Sequence, residues 1–468
     1  MKKFIVLILI FSFSLFSQTD FIKGVDVSTL LQIEANGGVY KEKGIVKDPI
    51  QIFKSHGINY ARLKIWHSPT GGYNNLQNVL QAAKRIKNNG LKLLLDFHYS
   101  DTWADPGKQT KPALWNGLTF PLLKDSIKNY TKNVIKTLKD NSVLPDMVQI
   151  GNEIICGMLW NDGRICGQYN SNEQWNNFCD LIKSANDGIK DAIQQNDSLL
   201  IMIHIDRGGD NNSSRWFFDG LISKGVNFDI IGLSYYPWWH GAFLDLENNL
   251  SDLSIRYNKK ILITETAYPF TLNWNDNTNN IVGTSNQLLA GYPATVEGQK
   301  NFLTKLMNTI KNVPNKNGIG LVYWEPDWIS TPTLGSPWEN LALFGFNGEL
   351  LESISVFNTT STKINFEEVN INSFQLFQNY PNPFNPITKI SWQTNLQSKQ
   401  SIIIYDLLGN EIIKLFEGAT DPGNYAISWN GKSNNGTFVP SGVYLYRLKT
   451  FSELNKPTSI AKSMFLLK

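Results

Sequence analysis

Cysteine, histidine and charge are all scarce in this chain, and each scarcity removes a class of function. Only Cys156, Cys166 and Cys179 occur among 468 residues, and no CxxC pair or Cys/His spacing reads as a zinc site. Cys156 and Cys166 are spaced to staple a loop after export, or all three remain thiols. Charged residues make up 18%, and Lys+Arg 43 against Asp+Glu 40 leaves a formal charge of +3 with no basic block. That balance excludes a nucleic-acid footprint and suits a neutral partner better than an acidic one. Beyond the first 16 residues no apolar run reaches the length of about 18 that a membrane helix needs. No internal repeat and no low-complexity tract is present.

Hydrophobic residues reach 42% and aromatics 12%, including 14 Trp and 17 Tyr, flat faces of the kind that stack on sugar rings. Met1-Lys2-Lys3 followed by apolar Phe4–Phe16 reads as a secretory signal peptide over residues 1–18. With no cysteine at the junction, lipoprotein processing is not expected, and the mature protein is expected outside the cytoplasm. From there strand-like runs alternate with helical patterns: Lys23–Asp26, Asn59–Trp66, Leu91–His98, Met147–Glu153, Leu199–His204, Asp229–Tyr235, Ile261–Glu265 and Ile319–Trp324. Helices are expected over Leu76–Asn89, Lys124–Asp140 and Trp175–Gln194, with Ile127, Val134 and Leu138 on one face and Gly57 and Gly90 as C-terminal caps. A doubly wound sheet shows the same alternation, but eight strands with chemistry at their ends favour a (β/α)8 barrel over residues 19–357. Residues 358–373 form a Thr/Ser/Asn-rich linker, and 374–468 alternate apolar and polar residues at period two, as in a small immunoglobulin-like β-sandwich.

Two strand-like runs stop on a glutamate: VQIGNE at Glu153 and ILITETAYP at Glu265. A fold that gathers strand ends onto one rim brings them together, and paired carboxylates flanking one bond are the equipment of glycoside hydrolysis. The proton donor of such a pair needs a raised pKa, which an apolar rim supplies. The nucleophile needs a cation to stay ionised, and Arg62 in YARLKIW is placed for that. Each glutamate alone is equally well explained by a structural salt bridge; their joint context favours chemistry. Asn152 is a candidate for the sugar's 2-hydroxyl or a cap for the next turn, and His98 and His204 end strands as site-facing candidates. The run LSYYPWW, with Tyr235, Tyr236, Trp238 and Trp239, and Tyr323-Trp324 at another strand end offer stacking surfaces, and Trp103 in the loop after His98 is a further candidate for substrate contact.

Together GVDVS, ARLKIWHSP, LLDFHYSDTWADPGKQ, QIGNEI, ITETAYPFT and VYWEP resemble glycoside hydrolase family 53, the endo-β-1,4-galactanases, across nearly all of residues 21–357. The resemblance implies a retaining barrel enzyme cutting β-1,4-galactan side chains of pectin, with Glu153 as acid/base and Glu265 as nucleophile. Arg62, His98, Asn152, Tyr235 and Trp324 would line the subsite at the cut bond. It implies no required cofactor. Some bacterial members bind calcium after the nucleophile strand, and here LNWNDNTNN keeps only Asp276 of an Asp-rich segment. The tail, with NYPNPFNP, YDLLGNEI and SGVYLYRL, resembles a type IX secretion sorting domain, which implies that secretion machinery as a partner and a secreted or surface-held monomer. The alternatives are another β-glycanase (mannan, xylan or arabinan), a non-catalytic glycan-binding protein and, for the tail, a carbohydrate-binding sandwich carrying Trp392 and Trp429.

Overall fold

Each of the eight expected runs forms a strand in the computed structural model: β1 (Ile22–Asp26), β2 (Tyr60–Ile65), β3 (Lys92–Phe97), β4 (Met147–Ile150), β5 (Leu200–Ile205), β6 (Ile230–Ser234), β7 (Lys260–Thr266) and β8 (Gly318–Tyr323). The structure describes residues 21–358 and 374–467 apart from 395–396, 407–408, 422 and 453–454; the leader and the linker from 359 to 373 lie outside the described residues. All eight strands are parallel, and Val25 of β1 has partners on both sides, Ala61 of β2 and Tyr323 of β8. That double pairing closes the ring, so the architecture is a (β/α)8 barrel and not an open doubly wound sheet.

Side-chain alternation along the strands sorts residues into two environments. Ile261 and Ile263 of β7 belong to the core between strands and helices, whereas Leu262 faces inward with Ile22, Tyr60, Leu94, Met147, Met202, Ile230 and Val322. Those eight plug the lower barrel with apolar volume. Above them the inward positions turn polar (Asp26, Arg62, Asp96, Gln149, His204 and Ser234), and all six are buried. The barrel is therefore filled from below by packing and from above by chemistry.

Helices around the barrel begin and end where local chemistry directs. Asn75 accepts from the amide of Asn78 to cap Leu76–Asn88, Ser171 does the same for Asn172–Ala192 through Gln174, and Gly57 and Gly90 follow their helices with φ of 85° and 70°. Ile127, Val134 and Leu138 are buried along Phe120–Asp140, as their spacing predicts. Where this helix meets Asn172–Ala192, Gly188 lets the backbones touch: a Cβ there would lie 2.4 Å from the carbonyl oxygen of Lys128. Among the described residues no helix is long and apolar enough to cross a membrane.

The chain divides into two compact units, residues 1–360 and 361–468. In the second, β9 (Phe374–Leu376), β10 (Thr388–Thr394), β11 (Ser398–Tyr405), β12 (Glu411–Thr420), β13 (Gly423–Trp429), β14 (Gly442–Ser452) and β15 (Asn455–Leu466) form antiparallel sheets of order β9-β10-β13 and β12-β11-β14-β15. This is the all-β region the alternation predicts. Trp392 and Trp429 are buried, stacked on Tyr425 and packed against Tyr444. Neither presents an open ring to a sugar, which removes the feature that favoured a carbohydrate-binding sandwich.

Because nothing at the Gly188 contact can retreat except backbone, Gly188→Val is expected to destabilise the barrel by about 2 kcal/mol, read from urea unfolding.

Candidate active site

The upper interior of the barrel is organised around one side chain. Arg62 is 1% exposed and uses all five of its N–H donors: Nε to Gln149 (3.2 Å), Nη1 to Asp26 (2.8 Å) and Glu265 (2.9 Å), Nη2 to Asp96 (2.8 Å) and Asn152 (2.9 Å). Burial alone would weaken its charge, but Asp96, Glu265 and Asp26 more than offset it, so it stays protonated.

Both glutamates reach this region through irregular backbone. Continued alternation in β7 would point Thr266 inward and Glu265 outward, since Leu262 and Thr264 face the interior. The pairing with β6 jumps from Leu233↔Ile263 to Ser234↔Glu265, and that with β8 from Ile263↔Leu321 to Thr266↔Tyr323. One extra residue in β7 makes a bulge that turns Glu265 inward. Strand β4 stops at Ile150 instead of running on to Glu153, and Gly151 (φ 79°) and Glu153 (φ 49°) take left-handed conformations. For a glutamate that conformation costs about 1 kcal/mol. It brings the carboxyl into one cavity of about 280 Å³ with Glu265.

The two carboxyls differ in environment. Glu265 accepts from Arg62 and, through Oε2, from the hydroxyl of Tyr236 at 3.2 Å. Glu153 accepts only a neutral partner, the hydroxyl of Ser234, at 2.5 Å from Oε1. Burial raises both; Arg62 opposes it at Glu265, leaving that group at about 7, while the charges of Glu265 and Asp206 add to it at Glu153 and push that group well above the usual range. Glu265 thus ionises first and Glu153 keeps its proton. A carboxyl that holds its proton beside one that loses it is equipped for acid and nucleophile roles.

Other expected residues fall in different places. His98, Trp103, Asn152 and Trp324 line the cavity. His98 accepts at Nδ1 from the amide of Ala104 and the indole of Trp66, which puts its hydrogen on Nε2, 3.0 Å from Asp96. Asn152 is engaged at both ends, by Arg62 and through Nδ2 by the carbonyl of Ala104. His204 does not reach the cavity: it is wholly buried below it, between Gln149 and Ser234. Tyr235 is also absent from the lining. Its ring packs on Phe302 and Phe243 in the outer core and its hydroxyl donates to the carbonyl of Gly241. Its neighbour Tyr236 is the one at the site, a fact legible from parity, since inward Gly232 and Ser234 of β6 lead to 236.

Sequence reasoning passed over several members of the cavity. Lys64 lines it, 2.9 Å from Glu325 and 4.0 Å from the ring centre of Trp103. Trp103 stacks on Trp328 at 6.4 Å, and Trp338 meets Trp324 edge-on at 4.5 Å, so tryptophans from the two loops after β3 and β8 form one wall. Asp96 uses Oδ2 for Arg62 and leaves Oδ1 buried without a protein partner. Cys156 and Cys166 are joined as a disulfide in the loop after Glu153.

The family model for glycosyl hydrolase family 53 matches residues 22–357. The chain belongs to this family. An uncharacterised protein of Niallia circulans is 48% identical over 72% of this chain and 93% of its own, and an arabinogalactan endo-β-1,4-galactanase of Thermothelomyces thermophilus is 35% identical over 72% and 98%. Among solved structures, a family 53 catalytic domain from Ignisphaera aggregans superposes with a TM-score of 0.68 at 39% identity, covering 72% of this chain and 95% of that one.

In the loop after β7, where the resemblance to the family raised calcium, the carboxylates are already engaged by backbone amides. Both oxygens of Asp276 accept backbone amides, from Thr278 at 2.5 Å and Ser336 at 2.8 Å, and Glu339 Oε1 accepts the amide of Asn275 at 2.6 Å. Three of the four carboxylate oxygens thus face the positive ends of N–H dipoles; Glu339 Oε2 is buried without a partner. Among the described residues no group of three His, Cys, Asp or Glu side chains is placed to hold a metal. Chelation with EDTA is therefore expected to leave the melting temperature unchanged, and added calcium to leave it unchanged as well.

Raised carboxyl pKa values also set a pH trend in stability. Between the unfolded value of 4.5 and about 7 the folded chain holds a proton on Glu265 that the unfolded chain releases, so this contribution is present below pH 4.5 and is lost as pH rises to 7. Asp206, raised from 3.8 to about 6 by burial, acts with the same sign. His204, His240 and His67, lowered by burial, act with the opposite sign up to the unfolded histidine value of 6.5, so the Glu265 contribution is read as a difference: from pH 4.5 to pH 7 the melting temperature of the wild type should fall relative to that of Glu265→Gln.

Proposed function

We propose that this protein is a secreted, retaining endo-β-1,4-galactanase acting on galactan side chains of pectin, with Glu153 as acid/base and Glu265 as nucleophile. The observation that carries the reading is the unequal carboxyl pair on one cavity, Glu265 on Arg62 and Glu153 on a neutral hydroxyl. The galactanase names of its relatives supply the substrate class.

Glu265, ionised first, attacks the anomeric carbon while Glu153 protonates the departing oxygen, forming a glycosyl-enzyme ester. Arg62 and the Tyr236 hydroxyl hold the attacking carboxylate in line, and their bonds to it must loosen as its charge is spent. Glu153, now a carboxylate, takes a proton from water, which attacks the same carbon and releases the sugar with its configuration kept. Asp96 Oδ1 is the unpartnered acceptor for a sugar hydroxyl and His98 fixes that carboxylate through Nε2, while Trp103, Trp324, Trp328 and Trp338 supply apolar faces. No organic cofactor enters this cycle. Export follows from the signal peptide, and the tail's motifs on a two-sheet β-domain support delivery by type IX secretion machinery, with the enzyme acting as a monomer.

The test is reducing-sugar release from linear β-1,4-galactan by the purified chain without its leader. Wild type should be active and Glu153→Gln should lose about a hundredfold or more in kcat; activity on mannan, xylan or arabinan instead of galactan would replace the substrate assignment. Azide separates the two roles. In Glu265→Ala it should enter from the face opposite an activated leaving group and give the α-galactosyl azide, whereas in Glu153→Ala it should attack the ester and give the β-azide.

A further inference from the structure

Glu153 is tied to Arg62 by a route that bypasses Glu265. Arg62 Nε donates to Gln149 Oε1 at 3.2 Å, Gln149 Nε2 lies 3.0 Å from His204 Nδ1, His204 Nε2 lies 2.9 Å from Ser234 Oγ, and Ser234 Oγ lies 2.5 Å from Glu153 Oε1. Gln149, His204 and Ser234 are wholly buried, on β4, β5 and β6.

The direction of every bond in this route follows from its fixed end. A guanidinium only donates, so Oε1 of Gln149 is the acceptor and its Nε2 carries two hydrogens. One serves the carbonyl of Gly151 at 3.0 Å. The other lies between His204 Nδ1 and Asn152 Oδ1, each 3.0 Å away. A hydrogen on Nδ1 would set two N–H donors against each other at 3.0 Å and crowd three donors, with Arg62 Nη2, onto the two lone pairs of Asn152 Oδ1, so His204 Nδ1 is the acceptor. A neutral imidazole accepting at Nδ1 bears its hydrogen on Nε2 and donates it to Ser234 Oγ. The hydroxyl hydrogen of Ser234 then points at Glu153 Oε1.

We infer that Ser234 and His204 are positioning residues for Glu153: this one-way donor chain holds Oε1, so that the exchangeable proton sits on Oε2 and the carboxylate left after proton transfer keeps a partner. The inference rests on the reading of Glu153 as the acid/base. Ordinary core polarity would equally bury a serine and a histidine, but it would not require all the hydrogens to run toward one carboxylate.

The charged and titratable groups facing Glu153 are Arg62 from β2, Glu265 from β7, Asp206 beyond β5 and Tyr236 beyond β6. Burial, Glu265 and Asp206 favour its protonated form; Ser234 and Arg62 favour the carboxylate. His204 is held neutral by burial and by Arg62, so it relays orientation without taking the proton.

Ser234→Ala removes a donor to the carboxylate, so Glu153 should titrate higher. The experiment follows the Glu153 carboxyl carbon by 13C NMR in the full chain without its leader, assigned by its loss in Glu153→Gln, beside the pH profile of kcat/KM on β-1,4-galactan. Ser234→Ala should raise the titration and move the alkaline limb upward by about half a unit or more, and slow the step in which Glu153 acts as base by about tenfold. Ser234→Thr, which keeps the hydroxyl, should restore both. His204→Phe, which takes the donor from beneath Ser234, should shift Glu153 in the same direction by less, and it stands in if the alanine variant does not fold. An unchanged titration in Ser234→Ala and His204→Phe would overturn the inference. Should wild type fail to cut galactan, the proposed function falls, and the NMR titration alone still decides the chain.

Discussion

One guanidinium, buried and fully hydrogen-bonded inside the barrel, is the interaction on which the rest of the upper interior depends. Arg62 joins side chains from β1, β3, β4 and β7 and the turn after β4, and three of its five acceptors are carboxylates. Removing a partner from such a cluster strands buried charge, a penalty of about 3–5 kcal/mol, far above what an exposed ion pair contributes. Lysine would not substitute, because a single ammonium has three donors and no planar fork to span four strands. The eight apolar side chains below Arg62 keep water from entering the network from beneath.

The same cluster explains why a proton remains in the site at neutral pH. Asp26, Asp96, Glu265, Glu325 and Asp327 are buried, against only Arg62 and Lys64 as buried cations among the described residues. Unbalanced negative charge in a medium of low dielectric is costly, so carboxyls take up protons where no cation is within reach. Glu153 has no direct contact with Arg62, and Asp327 has both oxygens buried without a partner; both are pushed well above the usual range, burial being the larger cause. Arg62 thus sorts two glutamates of one cavity into different protonation states by touching one of them and reaching the other only through Gln149, His204 and Ser234.

How much of this was legible depends on how local the cause is. Strand runs, helix caps at Gly57 and Gly90, and the face carrying Ile127, Val134 and Leu138 follow from spacing and capping chemistry within a few residues, and the structure bears them out. Glu153 and Glu265 stood out because each ends an apolar run. Tyr235 was misplaced by one position because both tyrosines of LSYYP look alike until inward parity is counted from Ser234. His204 ends a strand as the cavity residues do, yet it lies one layer too deep. The wall of Trp328 and Trp338 was not separable from ordinary core tryptophan, since loops remote in sequence assemble it.

What the sequence determined by itself is the set of elements and their order: eight strands alternating with helices, then a period-two β-region, each imposed by hydrophobic periodicity acting over one element at a time. Family membership resides in the same chain of residues. What only the tertiary structure decided is which polar groups share one low-dielectric space. Closure of the ring through Val25, the bulge that turns Glu265 inward and the left-handed turn at Glu153 are products of strand pairing between distant segments. They set the distances to Arg62, and at a few ångströms inside a barrel those distances determine which carboxyl keeps its proton.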